Sequence, residues 1–127
     1  MKKLLLGIFL TITIQLFSLT LPNSIINALK AGNSSELAKF FDTSIDLSLP
    51  NNDGTFSKTQ SELILKTFFS KNKTTGFTVM NNGDAKNHYH YSIGSLSTSN
   101  GLYRVYILYK ETDNRIIITE LRIESDE

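Results

Sequence analysis

Two stretches near the C-terminal end alternate strongly enough to demand a sheet. In the first, Tyr103, Val105, Ile107 and Tyr109 interleave with Arg104, Tyr106, Leu108 and Lys110; in the second, Ile117, Thr119, Leu121 and Ile123 interleave with Ile116, Ile118, Glu120, Arg122 and Glu124. Successive side chains of a strand point to opposite faces, so a period of two means one face buried and one wet. The first set of each stretch is the more uniformly apolar and is expected to face the core. Turn chemistry at Asn82-Gly83, Asn100-Gly101 and Asp113-Asn114 separates strands expected at Phe77–Met80, His88–Thr98, Leu102–Glu111 and Arg115–Glu124. Together they read as a β-meander.

Upstream, the period changes to that of a helix. Ile25, Ile26 and Leu29 recur at helical spacing before Gly32-Asn33, and Asn33-Ser34-Ser35-Glu36 offers an N-cap to a second short helix carrying Leu37, Phe40 and Phe41. Ser44 to Leu49 alternates as a strand, and Pro50-Asn51-Asn52-Asp53-Gly54 is turn chemistry. The longest helix is expected after Ser57-Lys58-Thr59-Gln60 or Thr59-Gln60-Ser61-Glu62, both capping-box patterns, with Ile64, Leu65, Phe68 and Phe69 on its apolar side. Lys71 and Lys73 then place cations where the helix dipole favours them. The order is α-α-β-α-β-β-β-β, an α+β domain in which helices cover one face of an antiparallel sheet.

Composition sets the address and removes several chemistries. Lys2-Lys3 followed by an apolar run to Leu19 reads as a secretory signal peptide over residues 1–20, with Ser18 and Thr20 as the small residues before cleavage. Thr11, Thr13 and Gln15 interrupt the run, so no stable membrane anchor is expected after cleavage. Export to the periplasm or the extracellular space is the expected localisation. Residues 21–127 are left as a single domain, and loss of Lys2 and Lys3 turns the formal charge from +1 to −1. That balance gives no reason to expect nucleic acid as a partner. The chain has no cysteine, which removes disulfides, thiolate metal sites and a cysteine nucleophile.

The element order resembles the nuclear-transport-factor-2-like, or cystatin-like, cone. Three segments are more specific: Phe56-Ser57-Lys58-Thr59-Gln60-Ser61-Glu62 running into Leu65-Lys66-Thr67-Phe68-Phe69; Tyr91-Ser92-Ile93-Gly94-Ser95-Leu96; and Tyr103-Arg104-Val105-Tyr106-Ile107 with Glu120-Leu121-Arg122-Ile123-Glu124. In these the chain resembles an exported bacterial family classed as a domain of unknown function, DUF4783. The resemblance spans most of residues 22–125 and implies fold and export, with no reaction attached. Met80-Asn81-Asn82-Gly83 stands where a histidine ahead of the glycine turn would be sought, so no role for that histidine carries over.

Three surfaces merit a chemical reading. Arg104, Tyr106, Leu108, Ile116, Ile118 and Arg122 form a candidate interface on the outer sheet face, because arginine and tyrosine around an aliphatic patch resemble the composition of binding hot spots. A homodimer or another protein is the partner expected there. Tyr89, Tyr91 and Tyr103 are candidates for a small-ligand pocket inside the cone. His88 and His90 stand two apart in an expected strand, with Asp84 nearby, but they supply too few ligands for a metal site, and no metal or cofactor is expected. A lyase or isomerase would need a carboxylate such as Asp42 or Asp46 beside a tyrosine hydroxyl. Asp42 reads as the polar end of a helix, Asp46 alternates away from Ile45, Leu47 and Leu49 toward solvent, and no His–Asp pair stands at catalytic spacing. The expected function is a non-catalytic binding module using the outer face, with a small-ligand carrier as the alternative and catalysis third.

Overall fold

The computed structural model describes residues 20–126, so the leader expected over residues 1–20 lies almost entirely outside the described residues. Two short helices open the domain. Helix α1 (Asn23–Ala31) ends at Gly32, whose φ of 62° lets Asn33 N–H reach back to the Ala28 carbonyl at 2.8 Å. Helix α2 (Ser34–Ala38) is capped by the Asn33 side chain, which accepts from Glu36 N–H at 3.1 Å. Strand β1 (Phe41–Leu49) follows, then β2 (Asn52–Ser57) and helix α3 (Lys58–Lys71). Of the two capping boxes in the sequence, the one formed is Ser57 with Gln60. Strands β3 (Thr74–Asp84), β4 (Tyr89–Thr98), β5 (Gly101–Thr112) and β6 (Arg115–Ser125) complete the chain.

The six strands form one sheet in the order β2-β1-β6-β5-β4-β3. The β-meander is present as expected, and the fold is the α+β cone. Several features depart from the sequence reading: Phe41, expected on the second helix, opens β1, and Asn82-Gly83, expected as a turn, pairs with β4 inside β3. The Asn52-Asp53-Gly54 segment, expected as turn, is the start of an edge strand that folds back on β1 with Leu49 opposite Asn52 and Ile45 opposite Phe56. Only Pro50 and Asn51 make the turn. Strand β1 also lies parallel to β6, so the sheet is mixed and its first and last strands are neighbours.

Helices cover the concave face. Ile25, Leu29, Leu37, Leu65, Phe68 and Phe69 from the helices meet Val105, Ile107, Tyr109, Leu121 and Ile123 from the sheet, all of them buried. Burying this much apolar side chain, at roughly 1.5–3 kcal/mol for each large residue, holds the domain together without cross-links. Phe77 lies across Gly94 on this face, and a Cβ at Gly94 would collide with the Phe77 ring. The absent side chain makes room for the ring, and a register shift between Val79 and Asn81 bends β3 beside it.

One irregularity changes which residues face which way. Leu108 pairs with Glu120 but Tyr109 pairs with Ile118, so Thr119 is an extra residue in β6. Its hydroxyl donates to the Leu108 carbonyl at 3.3 Å. A bulge of one residue reverses the in-out parity beyond it. Ile118 is therefore fully buried, Ile116 packs against the core, and Ile117, opposite Lys110, takes the outward position. Ile116 and Ile118, expected on the outer face, belong to the inner one; Ile117 and Thr119, expected on the inner face, do not. Among the described residues no helix is long and apolar enough to cross a membrane.

Candidate functional site

Helix α3 presents two adjacent sides. Ser61, Leu65, Phe68 and Phe69 are buried, while Leu63, Ile64, Thr67 and Lys71 turn toward a groove. The opposite wall is the β1–β2 turn, with Leu49, Pro50, Asn51 and Asn52; the floor is Phe68, Asn72, Asn100 and Tyr103. The groove encloses about 600 Å³, within the usual range for a small-molecule site. Leu63 on its rim is 60% exposed and Ile64 half-buried, whereas Leu65, Phe68 and Phe69 of the same helix are buried.

The floor is held rigidly. The Phe68 ring meets Tyr103 edge-on at 5.3 Å and Phe69 at 5.6 Å. Asn72 caps α3 twice, its backbone N–H and its side-chain amide both donating to the Phe68 carbonyl. The Asn72 side-chain oxygen accepts from the Tyr103 hydroxyl at 3.1 Å and from the Asn100 amide at 2.9 Å. The same Asn100 amide donates to the Lys71 carbonyl at 2.8 Å. Thus the tip of the β4–β5 hairpin is tied to the C-terminus of α3, and Tyr103 cannot swing freely. These bonds join residues about thirty apart in the chain, so no local motif announces them.

Of the three tyrosines expected in a pocket, only Tyr103 lies there. Tyr89 pairs with Lys110 and Tyr91 with Leu108, which places both on the convex face of the sheet. The Lys110 ammonium sits 5.8 Å from the Tyr89 ring centre, and the Tyr91 ring stacks on Tyr106 at 6.1 Å. A Cβ at Gly83 would strike the Tyr91 ring, so this tyrosine lies over the bare glycine backbone.

The convex face carries a row across three strands, from Tyr91 to Tyr106 to Arg122. The Arg122 guanidinium lies 4.9 Å from the Tyr106 ring centre and donates through Nε to Glu120 at 2.7 Å. That hydrogen bond and the Glu120 charge raise the Arg122 pKa further. Burial, with Glu120 and Tyr91 adding to it against the opposing pull of Arg122, raises the Tyr106 pKa above 10.0. Leu108 is half-buried beside the row, whereas Arg104 stands apart, 3.5 Å from Asp126. Ile93 and Ile117 also face outward here, opposite Tyr106 and Lys110, positions that follow only from strand register.

A polar cluster ends the concave face. His90 Nδ1 lies 2.8 Å from Asp84 Oδ1, and its ring is 5.8 Å from that of Tyr109. Ser92 donates to the Asn82 side-chain oxygen at 2.5 Å and lies 3.4 Å from the Tyr109 hydroxyl. Burial raises the Tyr109 pKa, the Ser92 hydrogen bond opposes this, and the Asp84 charge adds to it. His88 does not join: it lies in a 3-10 turn with φ 64° rather than on the strand. No group of three or more His, Cys, Asp or Glu suited to a metal ion occurs among the described residues.

A proton-transfer site needs a carboxylate tuned by burial. The Asp84 side chain is 86% exposed. Asp42 accepts from Thr43 N–H, and Asp46 accepts from Thr55 on the convex side. Neither contacts a tyrosine hydroxyl through these bonds.

The geometry can be set beside that of known proteins. No curated protein matches the chain. A DUF4783 family protein from Bacteroides ovatus is 31% identical, with a TM-score of 0.77 over 84% of this chain and 96% of that one. A domain of unknown function with a cystatin-like fold from Nostoc punctiforme is 11% identical, with a TM-score of 0.64 over 83% of this chain and 72% of that one. A chain described as "Rd1NTF2_04 with long sheet" is 13% identical, with a TM-score of 0.61 over 80% of this chain and 94% of that one. The latter two likenesses concern the fold alone, nuclear-transport-factor-2-like or cystatin-like. Residues 22–124 match the family model described as "Domain of unknown function (DUF4783)", and the chain belongs to that family.

Proposed function

We propose that this protein is an exported, non-catalytic binding protein that holds an apolar ligand in the groove between α3 and the β1–β2 turn. The observation that carries this reading is a preformed apolar groove of about 600 Å³ with a highly exposed leucine at its rim and a hydrogen-bonded floor. Covering Leu63 and its apolar neighbours in the groove would remove apolar area from water, which favours an apolar ligand. The centre of the cone is filled by Phe68 and Phe69, so the ligand sits at the mouth rather than inside. Export is supported by the basic start and apolar run of the first twenty residues. Fluorescence of the neutral apolar probe N-phenyl-1-naphthylamine tests the site: it should rise on adding the protein and lose most of that rise in Leu63→Asp. An equal response from both proteins overturns the reading.

The Tyr91–Tyr106–Arg122 row favours a second reading, self-association through the convex face. Light scattering over a concentration series, with Leu108→Asp as the disrupting variant, separates a dimer from a monomer. The convex side chains cover one another, which is why the groove is preferred.

A further inference from the structure

We propose that the ligand of the groove is an amphiphile with a carboxylate head, and that Lys71 receives this head; this rests on the groove being the binding site. The argument is an inventory of what the groove offers. Lys71 is the only ionisable lining residue other than Tyr103, and among the described residues no acid pairs with it. Its position at the C-terminus of α3 would ordinarily set it against free helix carbonyls. Here the Phe68 carbonyl is taken by Asn72 and the Lys71 carbonyl by Asn100, which lessens that competition for the ammonium.

The neutral polar groups divide the same way. Asn100 spends both amide donors, on the Lys71 carbonyl and on the Asn72 side-chain oxygen, Asn72 spends one of its two on the Phe68 carbonyl, and Thr67 donates to the Leu63 carbonyl. The Tyr103 hydroxyl proton is committed to Asn72. The side-chain amides of Asn51 and Asn52, across the groove, make no side-chain hydrogen bond among the described residues. The uncommitted donors are therefore the Lys71 ammonium, the amides of Asn51 and Asn52 and one N–H of Asn72, a surplus that matches an anionic acceptor. Leu49, Pro50, Leu63, Ile64 and Phe68 supply the apolar bed for its tail. A cationic head would meet Lys71 with like charge, and a neutral one would gain nothing from this exposed ammonium.

Calorimetric titration of the purified protein with decanoate, decanol and decyltrimethylammonium tests both levels. Decanoate should bind about two- to fivefold more tightly than decanol, with decyltrimethylammonium weakest, a ratio expected for one solvent-exposed charge pair. Lys71→Gln should bring decanoate down to the affinity of decanol and leave decanol unchanged. Leu63→Asp should weaken decanol. If decanol matches decanoate and both depend on Leu63, the head-group assignment fails and the groove stands. If the decanoate preference survives in Lys71→Gln, the role of Lys71 is overturned. If none of the three binds, or Leu63→Asp changes nothing, the groove reading falls with it.

Discussion

The two faces of the sheet are built from similar residues and held by different physics. On the concave side Val105, Ile107, Tyr109, Ile118, Leu121 and Ile123 are buried under helices, and their stability comes from removal from water. On the convex side Tyr91, Ile93, Tyr106, Leu108 and Ile117 are only half-buried, by one another and by the stems of Arg122 and Lys110. Aromatic and aliphatic content therefore does not tell the faces apart. What does is the identity of the covering group: helix on one side, neighbouring side chains on the other. A covering side chain can move aside at little cost, and a packed helix cannot.

The largest test of that contrast uses adjacent isoleucines on opposite faces of β6. Ile118→Asp would bury an unpaired charge beside Tyr109 and should cost about 4 kcal/mol or more, enough to unfold much of the population. Ile117→Asp, one residue away on the convex side, should cost under about 1 kcal/mol, and the nearby Lys110 offers it a partner. Urea midpoints with far-ultraviolet circular dichroism measure both. A larger loss for Ile117→Asp would mean that the parity reversal at Thr119 is wrong, and equal losses would mean that the two faces are covered alike.

The glycines sharpen the comparison at intermediate size. A methyl at Gly94 would meet the buried Phe77 ring and also the Thr78 carbonyl oxygen at 2.8 Å, a backbone atom that cannot step aside. Gly94→Ala should cost about 2–3 kcal/mol. The three atoms nearest to a methyl at Gly83 all belong to the Tyr91 side chain on the convex face. That ring can swing outward, so Gly83→Ala should cost under about 1 kcal/mol while weakening the Tyr91–Tyr106 stack. Thermal midpoints rank the two, and near-ultraviolet dichroism reports the tyrosine pair. A larger loss for Gly83→Ala would show the convex face to be as rigid as the core.

The same contrast explains what could be read from the sequence. The α+β order, the capping by Asn33 and Ser57, and the inward set Val105, Ile107 and Tyr109 were legible because each depends on local period or chemistry. The facing of Ile116 and Ile118 was not. A run of three isoleucines fits either parity, and the extra residue at Thr119 leaves no compositional trace. Tyr89 and Tyr91 were separated from Tyr103 by register: Thr98 pairs with Gly101 across the hairpin, so odd-numbered residues of β4 meet even-numbered ones of β5. That signal was available in the hairpin length. Strand β2 was hidden because Asn52-Asp53-Gly54 has turn chemistry, and as an edge strand it needs only one partner. The groove was hidden because residues 49–52, 63–72 and 100–103 each contribute a fragment and none a pattern.

The smallest expected effect is confined to alkaline solution and compares one tyrosine from each face. Tyr109 is fully buried, and burial favours its neutral phenol, so its folded pKa stands above the ordinary 10.0. Between those two values the folded chain keeps a proton that the unfolded chain has released. The stabilisation is complete below pH 10.0 and is lost as pH rises through the folded value. Tyr106 shifts the same way, but there Arg122 favours the phenolate and the ring is only half-buried, which leaves solvent to screen it. Tyr109→Phe removes a weak 3.4 Å contact to Ser92 and should change the neutral-pH urea midpoint by less than about 1 kcal/mol. Above pH 10.0 it should flatten the decline of the midpoint, and Tyr106→Phe should flatten it less. An equal change from both would mean that solvent reaches the two faces alike, against the difference in what covers them.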